Sequence, residues 1–219
     1  MRRFFYVIVL FFIFNISLFA KNDKSLIVLD TKTNKVLIEE KSNKKYKIAS
    51  LTKIWTALIV LENSNLDDEV IISKKASLQE GSSVYLKENQ NCTIKDLVYG
   101  MLLRSGNDAS VALAEHIAGS EKDFVKLMNE KARKFGIKNT KFVDVTGLGN
   151  NISTAKDVAI MFEIALKNSK FKDISSHSTY KNSLDGQIWK NKHKLVVDDS
   201  KAFAGKTGYT KQSGRTLAT

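Results

Sequence analysis

The sequence predicts an α+β layered fold, with antiparallel strands flanked by a helical cluster. Short β-prone runs gather at both ends of the chain, residues 51–167 read as a succession of capped helices, and no repeat, low-complexity linker or internal boundary interrupts them. The 219 residues, 43% hydrophobic and 26% charged, suffice for one globular domain with a real core.

The elements follow in order. Leu26–Asp30 and Val36–Glu40 are apolar, β-prone runs separated by Thr31–Lys35, which predicts a hairpin. A helix follows from Leu51 to about Asn63; Ile54, Trp55, Leu58, Ile59 and Leu61 cover so broad a face that it must be buried. Glu69–Ile72 reads as a brief strand in a small insertion. Thr93 with Asp96 resembles a capping box, and Leu97, Val98, Met101 and Leu102 continue the apolar stripe. The chain breaks at Ser105-Gly106-Asn107; Asp108 then suits the cap of a helix through Ala118, closed by Gly119. Ser120 with Asp123 starts a helix to Gly136, and Ser153 or Thr154 starts the last long one, through Lys167. Thr179–Ser183 and Gln187–Leu195 flank Asp185-Gly186, a type I′ hairpin signal. Ala202–Gly208 and Gly214–Ala218 read as two further strands, turning near Lys211–Ser213.

Composition narrows the function classes. The net charge of +12 suits an anionic membrane surface or acidic polymer, set against the plainer reading of a solvated lysine-rich surface. No arginine-rich helix or aromatic-interleaved basic stripe points to nucleic acid. Proline is absent, which reads as compositional drift. Residues 1–20 have the form of an export signal: Arg2 and Arg3, an unbroken apolar run from Phe4 to Phe14, and the small Ala20 at a cut site, although Leu18 is bulky for its place. The alternative is an uncleaved anchor; either way residues 21–219 work outside the cytoplasmic membrane, in a periplasm or on the membrane's outer face. Cys92 is the only cysteine, so no internal disulfide forms, and it reads as a small core or near-surface residue.

Three short words carry the chemistry: Ser50-Leu51-Thr52-Lys53, Ser105-Gly106-Asn107 and Lys206-Thr207-Gly208. Each alone is weak, since S-x-x-K recurs at Ser42–Lys45, Ser153–Lys156, Ser169–Lys172 and Ser178–Lys181. In order they describe a serine nucleophile whose base is a lysine. Ser50 sits where a loop enters a helix, beside free N–H groups and partial positive charge. Lys53 lies one turn on, so hydroxyl and amine can meet. The amine must be neutral to act, and burial with a nearby positive charge, which Lys206 can supply, lowers its pKa from about 10.4. Ser105 can relay a proton to the leaving group, and Asn107 can steady Lys53 and bind a substrate backbone group. Lys206 with Thr207 suits a terminal carboxylate, and Gly208 lets a substrate strand approach. The Tyr209 N–H completes an oxyanion hole with that of Ser50. His116, His177 and His193 lie in no G-x-S-x-G or H-E-x-x-H context, and His116 reads as a helix-surface residue, so a Ser-His-Asp hydrolase or zinc enzyme is poorly supported.

The three words are the mark of penicillin-binding proteins and class A β-lactamases. From about Ser25 onward the chain closely resembles the D-alanyl-D-alanine carboxypeptidases, the low-molecular-mass penicillin-binding proteins. The likeness extends to Ile48–Lys53, Leu103–Ala109, Phe142–Leu148, Ser153-Thr154-Ala155 with Asp157, and Gly205–Thr210. It implies a β-lactamase/transpeptidase-like fold and attack on the D-Ala-D-Ala bond of a peptidoglycan stem peptide through an acyl-enzyme, with β-lactams acylating the same serine. The implied catalytic residues are Ser50, Lys53 and Ser105. The implied substrate-binding residues are Asn107, Lys206, Thr207, Gly208 and Tyr209. No metal or organic cofactor is implied. A class A β-lactamase needs a glutamate after the second word, and Gly147–Thr154 contains no acid. A non-catalytic binding module is the reading from another class. The family continues past the third word with another strand and a helix. The chain is therefore expected to be C-terminally truncated, with its first hairpin and the Lys206 strands lacking a shared ladder.

Overall fold

Why these residues fold as they do is clearest at α1. In the computed structural model, which describes residues 23–199 and 201–219, every residue from Thr52 to Leu61 is buried. A helix apolar on all sides must sit inside a layer of others. Trp55, Ile54 and Leu58 are each at most 1% exposed, and burying each contributes about 1.5–3 kcal/mol. Lys53 is the one charge-bearing side chain in that stretch. The predicted export segment 1–20 lies outside the described residues.

In chain order, β1 (Leu26–Asp30) and β2 (Lys35–Glu40) form the first hairpin, and β3 (Tyr46–Lys47) leads through a 3-10 turn (Ala49–Leu51) into α1 (Thr52–Asn63). An insertion holds β4 (Glu69–Ile71), α2 (Lys74–Ser77) and β5 (Asn91–Thr93). The helices α3 (Ile94–Leu103), α4 (Asn107–Ala118) and α5 (Glu121–Lys134) follow, then β6 (Ile152–Ser153), α6 (Ala155–Leu166) and α7 (Ser169–Ser176). The tail carries β7 (Thr179–Lys181), β8 (Ile188–Lys190), α8 (Lys194–Asp198), β9 (Lys206–Thr210) and β10 (Gly214–Ala218). All pairings are antiparallel: β1 with β2, β3 with β6, β4 with β5, β7 with β8, and β9 with β10. Among the described residues no ladder joins β1–β2 to β9–β10. Both touch α6, which also packs on α1.

The predicted helix starts are found at their caps. Thr93, Ser120 and Thr154 accept from the N–H groups of Asp96, Asp123 and Asp157 at 3.1, 3.1 and 3.0 Å. Other expectations change. Asp108 does not cap α4; the helix begins at Asn107 and Asp108 is a buried residue of its first turn. Helix α7 was not anticipated: it is short, with Asn168 as its cap and only Phe171 and Ile174 as apolar anchors. Asp185-Gly186 does not form a type I′ turn, because only Gly186 has positive φ; the Asn182 side chain instead accepts from Leu184 and Asp185 N–H. The strand expected to reach Leu195 stops at Lys190, since His193 accepts from the Val196 N–H and starts α8. The strand expected from Ala202 begins at Lys206, opposite Ala218, the last residue of β10.

Candidate active site

The turn before α1 is built by close packing. Ala49 has φ +47°, a left-handed conformation uncommon for a non-glycine residue, and it holds the Ser50 side chain toward Lys53. The Thr52 hydroxyl donates to the Ala49 carbonyl at 2.8 Å. Beneath lies the segment 144–151, tied down by Asn151, whose carbonyl accepts from the Ile48 N–H and whose amide donates to Thr52 Oγ1 at 2.9 Å. Asp144 accepts from the N–H groups of Thr146, Gly147 and Gly149 and so coils the segment. Gly147, at φ +89°, leaves no room for a side chain: a Cβ there would lie 1.9 Å from the Ala49 carbonyl oxygen. The coil presents the Thr146 carbonyl to Lys53.

Lys53 Nζ has three partners: Ser50 Oγ at 3.1 Å, Asn107 Oδ1 at 2.7 Å and the Thr146 carbonyl at 2.6 Å. The last two can only accept. A neutral amine therefore spends its two N–H bonds on them and turns its lone pair to the Ser50 hydroxyl. Burial drives the amine toward that state. Lys53 is 0% exposed, forms no ion pair among the described residues, and has its pKa pushed down to about 7, chiefly by desolvation. The positive charge that adds to this is Lys192, where the sequence pointed to Lys206. Asp144 and Asp108 act in the opposite sense.

The second wall comes from the α3–α4 break. Ser105 is buried at φ +63°, and its Oγ accepts from Lys206 Nζ at 3.1 Å; no hydrogen bond joins it to Lys53. Asn107 is wired in at both ends, since its Oδ1 takes Lys53 and its Nδ2 donates to the Glu80 carbonyl at 2.6 Å. Asp108, read from sequence as a cap, organises the rim. Its carboxylate accepts from the N–H groups of Val84 and Leu86 and from the Ser83 hydroxyl. Sequence reasoning gave no role to Asp108 at the rim, the Thr146 carbonyl or the Asp144–Asn151 pair, although Asp108, Asp144 and Thr146 lie within the stretches of likeness.

The third wall is β9. Lys206 is 2% exposed, and Nζ donates to Ser105 Oγ and, at 2.7 Å, to the Thr207 carbonyl. Desolvation, then Lys53 and Lys192, hold its pKa well below the ordinary lysine range. Gly208 answers a packing need of the protein itself: a Cβ there would lie 2.5 Å from Thr216 Oγ1 and 2.8 Å from the Ser50 nitrogen. Its bare backbone thus brings β9 against the Ser50 turn. The Ser50 N–H meets no acceptor among the described residues. Thr207 is half-buried and the Tyr209 side chain exposed. The structure therefore gathers the residues of all three words around one point. A surface cleft of about 790 Å³ between α5 and residues 137–141 lies elsewhere.

Comparison with known proteins agrees with this geometry. The family model described as D-alanyl-D-alanine carboxypeptidase matches residues 17–219. The D-alanyl-D-alanine carboxypeptidase DacF of Bacillus subtilis is 38% identical over 201 residues, covering 87% of this chain and 52% of its own length. A D-alanyl-D-alanine endopeptidase of Haemophilus influenzae is 35% identical over 200 residues, covering 89% of this chain and 68% of its own. Among solved structures, the D-alanyl-D-alanine carboxypeptidase of Mycobacterium tuberculosis superposes with TM-score 0.83 at 30% identity, covering 88% of this chain and 75% of that one. A mutant of the Streptomyces K15 DD-transpeptidase gives 0.81 at 29%, covering 86% and 81%. The chain thus spans about half the length of the first curated relative it matches. A match over nearly the whole chain, on a fold that converges the three words, has one meaning: the chain belongs to the D-alanyl-D-alanine carboxypeptidase family.

Proposed function

We propose that this chain is a serine-type D-Ala-D-Ala carboxypeptidase that releases the terminal D-alanine of peptidoglycan stem peptides. One observation carries the reading: a fully buried, carboxylate-free lysine lies 3.1 Å from a serine hydroxyl, with its other hydrogen bonds committed to pure acceptors. Lys53 takes the Ser50 proton as Oγ bonds to the scissile carbonyl carbon. The Ser50 and Tyr209 N–H groups receive the oxyanion. The C–N bond then breaks as Ser105, which Lys206 orients, gives its proton to the departing amine and turns to take the proton held by Lys53, which leaves Lys53 neutral to activate the water. Water hydrolyses the ester and frees Ser50. Thr207 and the Lys206 amine, whose charged form a bound carboxylate favours, receive the terminal carboxylate, and Gly208 keeps β9 close to Ser50. β-Lactams acylate Ser50 in the same way. Residues 21–219 form the catalytic domain, and residues 1–20 direct it across the cytoplasmic membrane, where the basic surface favours an anionic membrane face. Among the described residues no helix is long and apolar enough to cross a membrane.

Fluorescent penicillin labelling with a D-alanine release assay tests this. Labelling and release by the full chain, both lost in Ser50→Ala, are expected; a chain that never labels would overturn the reading. A second reading, a module that binds or acylates without turnover, is favoured by the apolar residues exposed on β2, where Leu37 is 61% exposed. Labelling without release would select it.

A further inference from the structure

His193 belongs to none of the three words, yet it is 1% exposed and touches the beginning of the third. Its Nδ1 accepts from the Val196 N–H at 3.3 Å, so the proton sits on Nε2, which lies 3.2 Å from the Ala218 carbonyl. Ala218 is the cross-strand partner of Lys206. The ring also lies close against Gly205, where a Cβ would come within 2.3 Å of Nε2. On its other side the segment is tied to the helical lobe: the Lys192 N–H donates to the Leu103 carbonyl at 3.0 Å, and the Asn191 N–H to that of Ser178 at 2.8 Å. Leu103 ends α3, two residues before Ser105. A single imidazole thus links the lobe that carries Ser105 to the first rung of the ladder that carries Lys206.

We propose that His193 is a positioning residue for the reaction, whose ring, accepting at Nδ1 and donating from Nε2, holds the Lys206 end of β9 in register over Ser105. This rests on the catalytic reading above. Protonating Nδ1 would turn it into a donor facing the Val196 N–H and would place a cation beside Lys206. The charged group that reinforces that penalty is Lys206 from β9. No carboxylate hydrogen-bonds the ring among the described residues. Burial, then Lys206, accordingly keeps the ring's pKa below its ordinary 6.5. The clamp therefore holds at neutral pH and releases as the medium turns acidic.

The test is penicillin acylation of the full chain against pH, for the wild type and His193→Gln. The wild type should lose about tenfold in rate per pH unit while Lys53 alone titrates, and about a hundredfold per unit once His193 also does. His193→Gln should acylate about tenfold more slowly at pH 8 and keep the shallower limb throughout. Unchanged rate per folded molecule and unchanged limb, even with a lower melting temperature, would reduce His193 to a packing residue and overturn the proposal. Should the variant not fold, ¹⁵N spectra of the wild-type ring decide: a persistent Nε2–H tautomer is expected, and an Nδ1–H or exchanging mixture overturns it. A wild type that never labels refutes the catalytic reading, while those spectra still judge the clamp.

Discussion

Ser50 and Lys53 stand at the start of a helix buried on every side, whereas Lys206 stands on a two-stranded hairpin with its outer residues in solvent. The first wall is fixed by a closed polar network running Thr52–Asn151–Asp144 under the turn, with Asn107 and Thr146 on the amine. The third, β9, is held by one ladder, the bare backbone of Gly208, and His193. Yet both lysines are driven toward neutrality by the same cause, removal from water. Burial moves both amines toward neutrality; what sets them apart is the partner. Lys53 faces the hydroxyl of a residue with a free N–H, and Lys206 faces a serine already held in a left-handed backbone.

The largest effect should come from the helix-borne wall. Lys53→Met keeps much of the buried volume and removes the base, so penicillin acylation should fall by about 10²–10⁴-fold, measured by stopped-flow labelling. An equal loss in a Lys206→Met variant would erase the distinction between the two amines. Next, Gly147→Ala forces a Cβ onto the Ala49 carbonyl at a positive φ and should cost about 3 kcal/mol or more in chemical denaturation. Gly119, also at positive φ but with nothing within 4 Å, should cost less when changed to alanine, about 1 kcal/mol. If the two changes cost the same, close packing under Ser50 is not what sets the turn.

The pH response sharpens the contrast further. The base works only when neutral, so acylation should rise with pH through about 7, the lowered value of Lys53, and level off above it. Stability moves in the same direction. The unfolded chain holds a proton on this lysine up to its ordinary 10.5 while the folded chain has released it by about 7, so the unfolded state binds more protons across that window and stability rises with pH there. A denaturation midpoint that falls between pH 7 and 10, with other groups accounted for, would contradict the buried neutral amine. The smallest effect belongs to the exposed strands. Leu37→Lys on β2 should shift stability by less than about 0.5 kcal/mol, measured by chemical denaturation. A loss of several kcal/mol would mean that β2 is covered in solution.

Much of this was legible in the chain. The three words named residues that the fold brings together, and local side-chain-to-backbone bonds wrote the caps Thr93, Ser120 and Thr154 into the sequence. The N-terminal hairpin was read to within a residue because its turn and its apolar runs agree. The misses have a common origin. Asp108 has the composition of a cap, but its partners, Val84 and Leu86, lie more than twenty residues away. His193 and Leu195 read as strand because β-prone neighbours surround them, and only the cap to Val196 makes the turn into α8.

By itself, then, the sequence determined that Ser50 and Lys53 share one face a helical turn apart, the order of the three words and the helix caps, since spacing along a helix and short-range capping are local. Tertiary structure alone decided which charge acts on Lys53, that Thr146 offers its carbonyl to that amine, and that Gly208 serves the protein's own packing. Those depend on desolvation and on contacts between distant segments. Both arise only when the chain closes around α1.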